Sequence, residues 1–138
     1  MNWTLEVVIV PVADLDRAKY FYAEKLGFDV DLDSTMSEEL RVVQLTPPGS
    51  GCSIQMGQSI TKMQPGSLQG LQLVVRDLKA AHAELVERGV EVSEIQVFDR
   101  NGKLRSYREG DELNNVGFVY FTDPDGNGWA VQQISNRS

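Results

Sequence analysis

Few side chains in this sequence combine a reactive type with a setting that supports catalysis. Cys52 is the single cysteine, so neither an intramolecular disulfide nor a thiolate metal cluster can form. We expect it to be a small apolar strand residue. His82 is the single histidine and falls within a predicted helix, where a surface side chain is expected. The side chains left for chemistry are mainly neutral hydrogen-bonding groups.

The neutral candidates lie on predicted strands at alternating positions. Because side chains alternate along a strand, these positions share one open sheet face. Glutamine amides and a phenol can hydrogen-bond a ligand there, while phenylalanine and isoleucine leave apolar room. Alternatively, the glutamines bond one another across the barrel mouth or lie at a dimer seam. The predicted ligand-binding residues are Ile9, Gln55, Gln72, Phe118, Tyr120 and Gln132.

The elements that must position these residues follow one order in the first half of the chain. A β-branched strand leads to Asp14, a good helix N-cap, and Gly27 supplies the left-handed residue that ends a helix. Three strand-like segments follow. The predicted elements are a strand at 5–12, a helix at 14–26, and strands at 28–33, 40–46 and 52–57.

The second half repeats that order. Asp77-Leu78 and Ala81 match Asp14-Leu15 and Ala18 in spacing, which indicates an internal duplication. A polar segment at 97–115 is long enough for a lid or rim, although a plain surface excursion explains it equally well. The predicted elements are a strand at 71–75, a helix from 78 that closes at Gly89, and strands at 90–95, 116–122 and 128–134, the last two around a turn at 123–127.

Length and charge narrow the class of protein. The 138 residues suit one domain, and 41% hydrophobic content suits a globular chain. A net charge of -7 disfavours binding to nucleic acid or to anionic membrane surfaces. No stretch approaches the roughly 18 apolar residues of a membrane helix, and the N-terminal sequence lacks the pattern of a signal peptide. We therefore expect a cytoplasmic protein.

Three motifs in this order resemble the vicinal oxygen chelate superfamily of glyoxalases, bleomycin-resistance proteins and extradiol dioxygenases. The resemblance implies an α+β fold in which two βαβββ modules form a cupped mixed sheet. It implies a single domain over 1–138, with module one at about 1–58, a linker at about 59–69 and module two at about 70–135. The motifs are Val10-Pro11-Val12-Ala13-Asp14-Leu15 with Phe21-Tyr22 and Leu26-Gly27, the echo at Asp77-Leu78, and Phe121-Thr122-Asp123-Pro124-Asp125-Gly126-Asn127.

The resemblance also allows a test for a metal site. Metal-dependent members carry one ligand on the strand before each capping aspartate and one on the closing strand of each half. Shifting the first strand to use Glu6 would turn its apolar set to the wrong face. No cofactor is therefore expected, because three of the four matching positions cannot ligate a metal. The positions are Val7, Gln55, Gly70 and Ala130.

Two functions remain open at this stage. The first is a metal-free, homodimeric protein that sequesters a small molecule, similar to the bleomycin-resistance branch. The alternative is a lyase, isomerase or dioxygenase that uses an atypical metal set, or metal-free chemistry through Tyr120 or an acidic residue. A third possibility is a protein-interaction module in which large side chains fill the cup of the sheet. The small residues Gly70, Gly128 and Ala130 disfavour it.

Overall fold

The computed structural model describes residues 1–136, and the chain divides into two units that each contain one sheet. The first unit comprises Met1–Leu68 together with the turn Asp123–Asn127. The second comprises Gln69–Thr122 and the residues from Gly128 onward. The predicted α+β class with two similar modules is confirmed. No helix in the described part of the chain is long and apolar enough to cross a membrane.

The first unit contains a four-stranded sheet and a helix. Its sheet has the strand order β1-β4-β3-β2, with β1 parallel to β4 and the other pairs antiparallel. The core includes Val43, Leu45 and Met56, which are fully buried. Its elements are β1 (Val7–Ile9), α1 (Leu15–Tyr20), a π-helical turn (Phe21–Lys25), β2 (Asp29–Ser37), β3 (Leu40–Thr46) and β4 (Ser53–Gly57).

The second unit has the same arrangement with one extra strand. Its sheet has the order β5-β9-β8-β6-β7, and β5 runs parallel to β9. Helix α2 packs against β8 and β9. Its elements are β5 (Leu71–Val75), α2 (Leu78–Glu87), β6 (Gln96–Phe98), β7 (Leu104–Ser106), β8 (Gly117–Thr122) and β9 (Gly128–Gln133).

The helix boundaries follow the predicted signals. The Asp14 carboxylate accepts a hydrogen bond from the Arg17 backbone N–H at 3.1 Å, and the Asp77 carboxylate accepts one from the Ala80 N–H at 3.1 Å. These side chains satisfy donors that a helix start leaves unpaired. Gly27 follows the π-helical turn with φ 76°, a conformation that glycine adopts without steric cost.

Strand β1 is much shorter than the predicted strand at 5–12. It pairs only with β4, over Ser53 to Gln55, so the ladder has three rungs. Leu5 is 70% exposed and lies outside the ladder. The longer strand was predicted from hydropathy alone. Hydropathy does not show how far a strand pairs with its partner, which is what sets the observed ends of β1.

Strand β2 contains a bulge that separates two nearby aspartates. Register shifts between Val30 and Leu32, which places Asp31 on the face where its carboxylate accepts a hydrogen bond from the Thr46 hydroxyl. Asp33 instead accepts hydrogen bonds from Arg41 and Lys19, which lower the pKa of its carboxyl. A bulge re-aims side chains in this way because it breaks the two-residue alternation.

The prediction of a strand at 90–95 followed by a loop at 97–115 is wrong. Residues 90–95 make only an isolated bridge between Val92 and Phe121, whereas β6 and β7 form an antiparallel hairpin within the predicted loop. Within β7, Arg105 binds the carboxylate of Asp111, which follows the hairpin, through two nitrogens at 2.8 and 3.0 Å. This segment therefore extends the sheet. The polar composition of this segment did not indicate strands. Strand β7 lies at the edge of the sheet, and one side of an edge strand is exposed to solvent.

The turn between β8 and β9 is organised by the buried Asp123 carboxylate. One oxygen accepts the backbone N–H groups of residues 125, 126 and 127 at 2.9–3.0 Å. The other accepts the Tyr22 hydroxyl at 2.7 Å and the Asn127 amide at 2.8 Å. Asn127 also donates to the Pro11 carbonyl at 2.8 Å. The predicted turn is thus a packed part of the first unit.

We predict that Tyr22→Phe destabilises the protein by about 1.5–3 kcal/mol, the usual effect of removing a hydrogen bond to a charged group. Tyr22 is fully buried and its hydroxyl donates to Asp123. Urea unfolding would measure the change. The matched control is Tyr20→Phe, because Tyr20 is 59% exposed and its substitution should stay within about 0.5 kcal/mol. Equal effects of the two substitutions would contradict the role given to this bond.

A second prediction concerns pH. The Arg105 guanidinium and the Arg108 backbone N–H lower the pKa of Asp111 from 3.8 to about 2. A lowered folded-state pKa adds stability above the unfolded value, and that stability is lost as the pH falls toward 2. The stability gap between wild type and Asp111→Asn should therefore be full at pH 7 and shrink below pH 4. Thermal unfolding across this range tests it, with Glu109→Gln as the control. A gap independent of pH would contradict the assignment.

Candidate functional site

The open face of the second sheet is defined by the pairing of three strands. Across β5, β9 and β8, Gln72 pairs with Ala130 and Ala130 pairs with Tyr120. Two residues further along β9, and therefore on the same face, Gln132 pairs with Phe118. The alternate residues Val119, Phe121, Trp129 and Val131 point to the opposite face and are buried. Four of the six predicted ligand-binding residues therefore share one face.

A pocket of about 410 Å³ lies at one end of this face. Three bordering residues have little or no side chain: Gly70, Gly128 and Ala130. The Gln69 side chain occupies the space beside Gly128, since a Cβ there would lie 2.0 Å from its Oε1 atom. The pocket is bordered by Gln69, Gly70, Glu91, Tyr120, Phe121, Thr122, Gly128, Trp129 and Ala130.

A row of aromatic rings leads to this pocket. Phe98 meets Phe118 edge to face with centroids 5.3 Å apart, and Phe118 stacks on Tyr120 at 6.1 Å with an interplanar angle of 8°. Tyr120 and Thr122 both border the pocket. Burial raises the pKa of Tyr120, so its phenol stays neutral near pH 7. Such a ring offers a ligand a stacking surface and a hydroxyl.

Two of the predicted glutamines are bonded to each other. The Gln132 amide donates to the Asn115 carbonyl at 2.8 Å, and that carbonyl can only accept. The Gln132 oxygen therefore points the other way, where it accepts the Gln72 amide at 2.6 Å. The two glutamines thus bond each other between the neighbouring strands β5 and β9 of one sheet. Gln132 is held on both sides, whereas Gln72 is exposed and keeps its oxygen for another donor.

The other two predicted residues lie in the first unit. Ile9 is the cross-strand partner of Gln55 on the open face of the first sheet, and both are partly buried. The Gln55 amide donates to Gln44 at 2.8 Å. Thus Gln55 also has a glutamine partner, which the sequence did not predict.

Sequence reasoning missed three residues of the candidate site. Phe98 was assigned to a loop, although its parity with Gln96 on β6 places it on the open face. Gln69 was assigned to the linker. Glu91 was placed on a predicted strand with no role, and the isolated bridge at Val92 is what brings it to the pocket. The aromatic type of Phe98 was the one signal that could have identified it.

Two units that each place one helix after a first strand and complete a sheet with the strands that follow define a class of small α+β domains. The sequence pattern of the Glyoxalase/Bleomycin resistance protein/Dioxygenase superfamily matches residues 4–131, and the chain belongs to this superfamily.

The similar solved structures include two from Streptomyces sp. CB03234. TnmS3, described as an antibiotic binding protein, is 32% identical with a TM-score of 0.74 and covers 97% of this chain and 98% of its own. A glyoxalase/bleomycin resistance protein is also 32% identical, with a TM-score of 0.71, and covers 94% of this chain and 100% of its own. The uncharacterized protein YetH of Bacillus subtilis (strain 168) is 26% identical over 91% of this chain and 94% of its own length.

The residues at the family's metal positions do not fit a metal ion. Val7, Gly70 and Ala130 have no side-chain nitrogen, oxygen or sulfur, and the Gln55 amide is bonded to Gln44. A protein metal site needs three or four such ligands. Within residues 1–136, no three His, Cys, Asp or Glu side chains group as ligands would. These four positions therefore do not form a metal site of the kind that metal-dependent members carry.

We predict that the purified protein retains less than about one-tenth equivalent of metal after incubation with Zn, Ni, Mn and Fe salts and desalting, because a lone amide binds such ions weakly. Elemental analysis measures the content. The control is Gln55→Ala, which should retain the same amount as wild type. Near-stoichiometric retention that this substitution abolishes would contradict the prediction and indicate an unusual ligand set.

Proposed function

We propose that the protein binds and sequesters a small molecule in the pocket of the second sheet, without the metal used by other members of its superfamily. One observation carries the proposal. Gly70 and Ala130 stand where metal ligands stand in relatives, and both border a pocket of about 410 Å³ beside the Tyr120 ring. The absence of side-chain ligands at these positions leaves room for an organic ligand. A concave, mainly apolar wall with a few polar groups is typical of such sites.

The relatives support this proposal. TnmS3 is described as an antibiotic binding protein, and a second relative is described as a glyoxalase/bleomycin resistance protein. Both have about the same length as this chain and are 32% identical to it. By analogy with these descriptions, the ligand class proposed for this chain is an antibiotic-like organic molecule with a flat ring.

Sequestration is favoured over lyase or isomerase chemistry. Tyr120 is the candidate acid or base of the alternative, and burial raises the pKa of its phenol, which makes it a poor base near neutral pH. It is better suited to stacking and hydrogen bonding. A homodimer, by the family resemblance, and a cytoplasmic location are also part of this proposal.

The proposal predicts that a larger side chain at Ala130, which borders the pocket, removes binding. Ala130→Leu adds bulk at a half-buried open-face position, so it should weaken ligand binding by at least about tenfold while the protein stays folded. The matched control is Ala83→Leu, because Ala83 is exposed on α2 and should leave binding unchanged. Thermal shift against a panel of antibiotics that includes bleomycin finds the ligand, since a ligand at 100 times its Kd stabilises by about 2.7 kcal/mol.

Two readouts distinguish binding from catalysis. Equilibrium dialysis gives the affinity for wild type and both variants, and mass spectrometry shows whether the ligand is recovered unchanged. Intact ligand and loss of binding in Ala130→Leu alone would support sequestration. Conversion of the ligand would support the enzyme alternative. Equal binding by wild type and Ala130→Leu would contradict the assignment of the pocket.

A further inference from the structure

We infer that Glu91 makes this pocket selective for flat aromatic ligands that carry a positive charge. The inference rests on the proposed function and goes beyond it by naming the charge of the ligand. Among the described residues that border the pocket, Glu91 is the one charged side chain. No lysine or arginine within residues 1–136 borders it. An ionised carboxylate at the edge of an otherwise neutral pocket favours a cation.

The position of Glu91 is fixed by the backbone that follows it. Val92 forms a bridge with Phe121 on β8. Ser93 donates its N–H to the Tyr120 carbonyl at 2.8 Å and accepts the Tyr120 N–H on its hydroxyl at 2.9 Å. These bonds tie Glu91 to the same strand that carries the Tyr120 ring. Glu91 and Tyr120 therefore border the same pocket.

Tyr120 and Glu91 both favour a ligand that carries a positive charge. The Tyr120 ring, which borders the pocket, can stack on a flat ligand, and its electron-rich face also attracts a cation. Glu91 is exposed and makes no ion pair among the described residues, so its charge is not neutralised by a neighbour. The net charge of -7 adds to the attraction for cations. An aromatic amine has both features that these groups recognise.

The test uses two probes with the same ring: 2-naphthylmethylamine, which is protonated at pH 7, and 2-naphthylmethanol, which is neutral. Equilibrium dialysis at low salt should show that the amine binds about three- to tenfold more tightly, as expected for one partly solvated charge pair. Glu91→Gln should remove most of this preference by weakening the binding of the amine. Glu87→Gln, which removes an exposed charge on α2 away from the pocket, should leave the preference unchanged. Salt near 1 M should reduce it in wild type.

The outcomes separate this inference from the proposed function. Equal affinity for the two probes, with both lost in Ala130→Leu, would overturn the charge selectivity and leave the binding pocket intact. A preference for the amine that is undiminished in Glu91→Gln would overturn the role of Glu91. Failure of both probes and of the antibiotic panel to bind would overturn the proposed function and the inference together.

Discussion

The Asp123 carboxylate is the constraint on which the candidate site depends. Its five hydrogen bonds shape the turn that joins β8 to β9, and the geometry of a hairpin turn fixes which residues of the two strands face each other. The pairing of Tyr120 with Ala130 follows from this register. A shift by one residue would bring Trp129 to the open face and place Ala130 among the core residues, which would remove the pocket floor.

The pocket exists partly because several of the residues that border it have little or no side chain. Gly70 and Ala130 replace potential metal ligands, and Gly128 leaves space that the Gln69 side chain occupies. Around this floor the polar groups are neutral apart from Glu91. A neutral pocket of this kind is suited to the recognition function proposed above. One fold can support different functions in this way when a few positions change.

The sequence predicted most elements because their signals are local. Asp14 and Asp77 cap the two helices, β3 and β5 have their predicted bounds, and alternation placed Phe118, Tyr120, Gln72 and Gln132 on one face. The failures were non-local. The extent of β1 depends on how far it pairs with β4, and β6 and β7 pair within a segment whose composition is that of a loop. Propensity carries little information on partners of this kind.

The sequence by itself determined the family, the two-module order and the identity of residues at the metal positions, because each depends on residue type and spacing along the chain. The tertiary structure decided which of the candidate glutamines bond to one another and which residues border the pocket. Gln132 is held by the carbonyl of Asn115, and Glu91 reaches the pocket through the bridge beside it. Both depend on contacts between residues far apart in sequence, which form only when strand register and turn geometry bring them together.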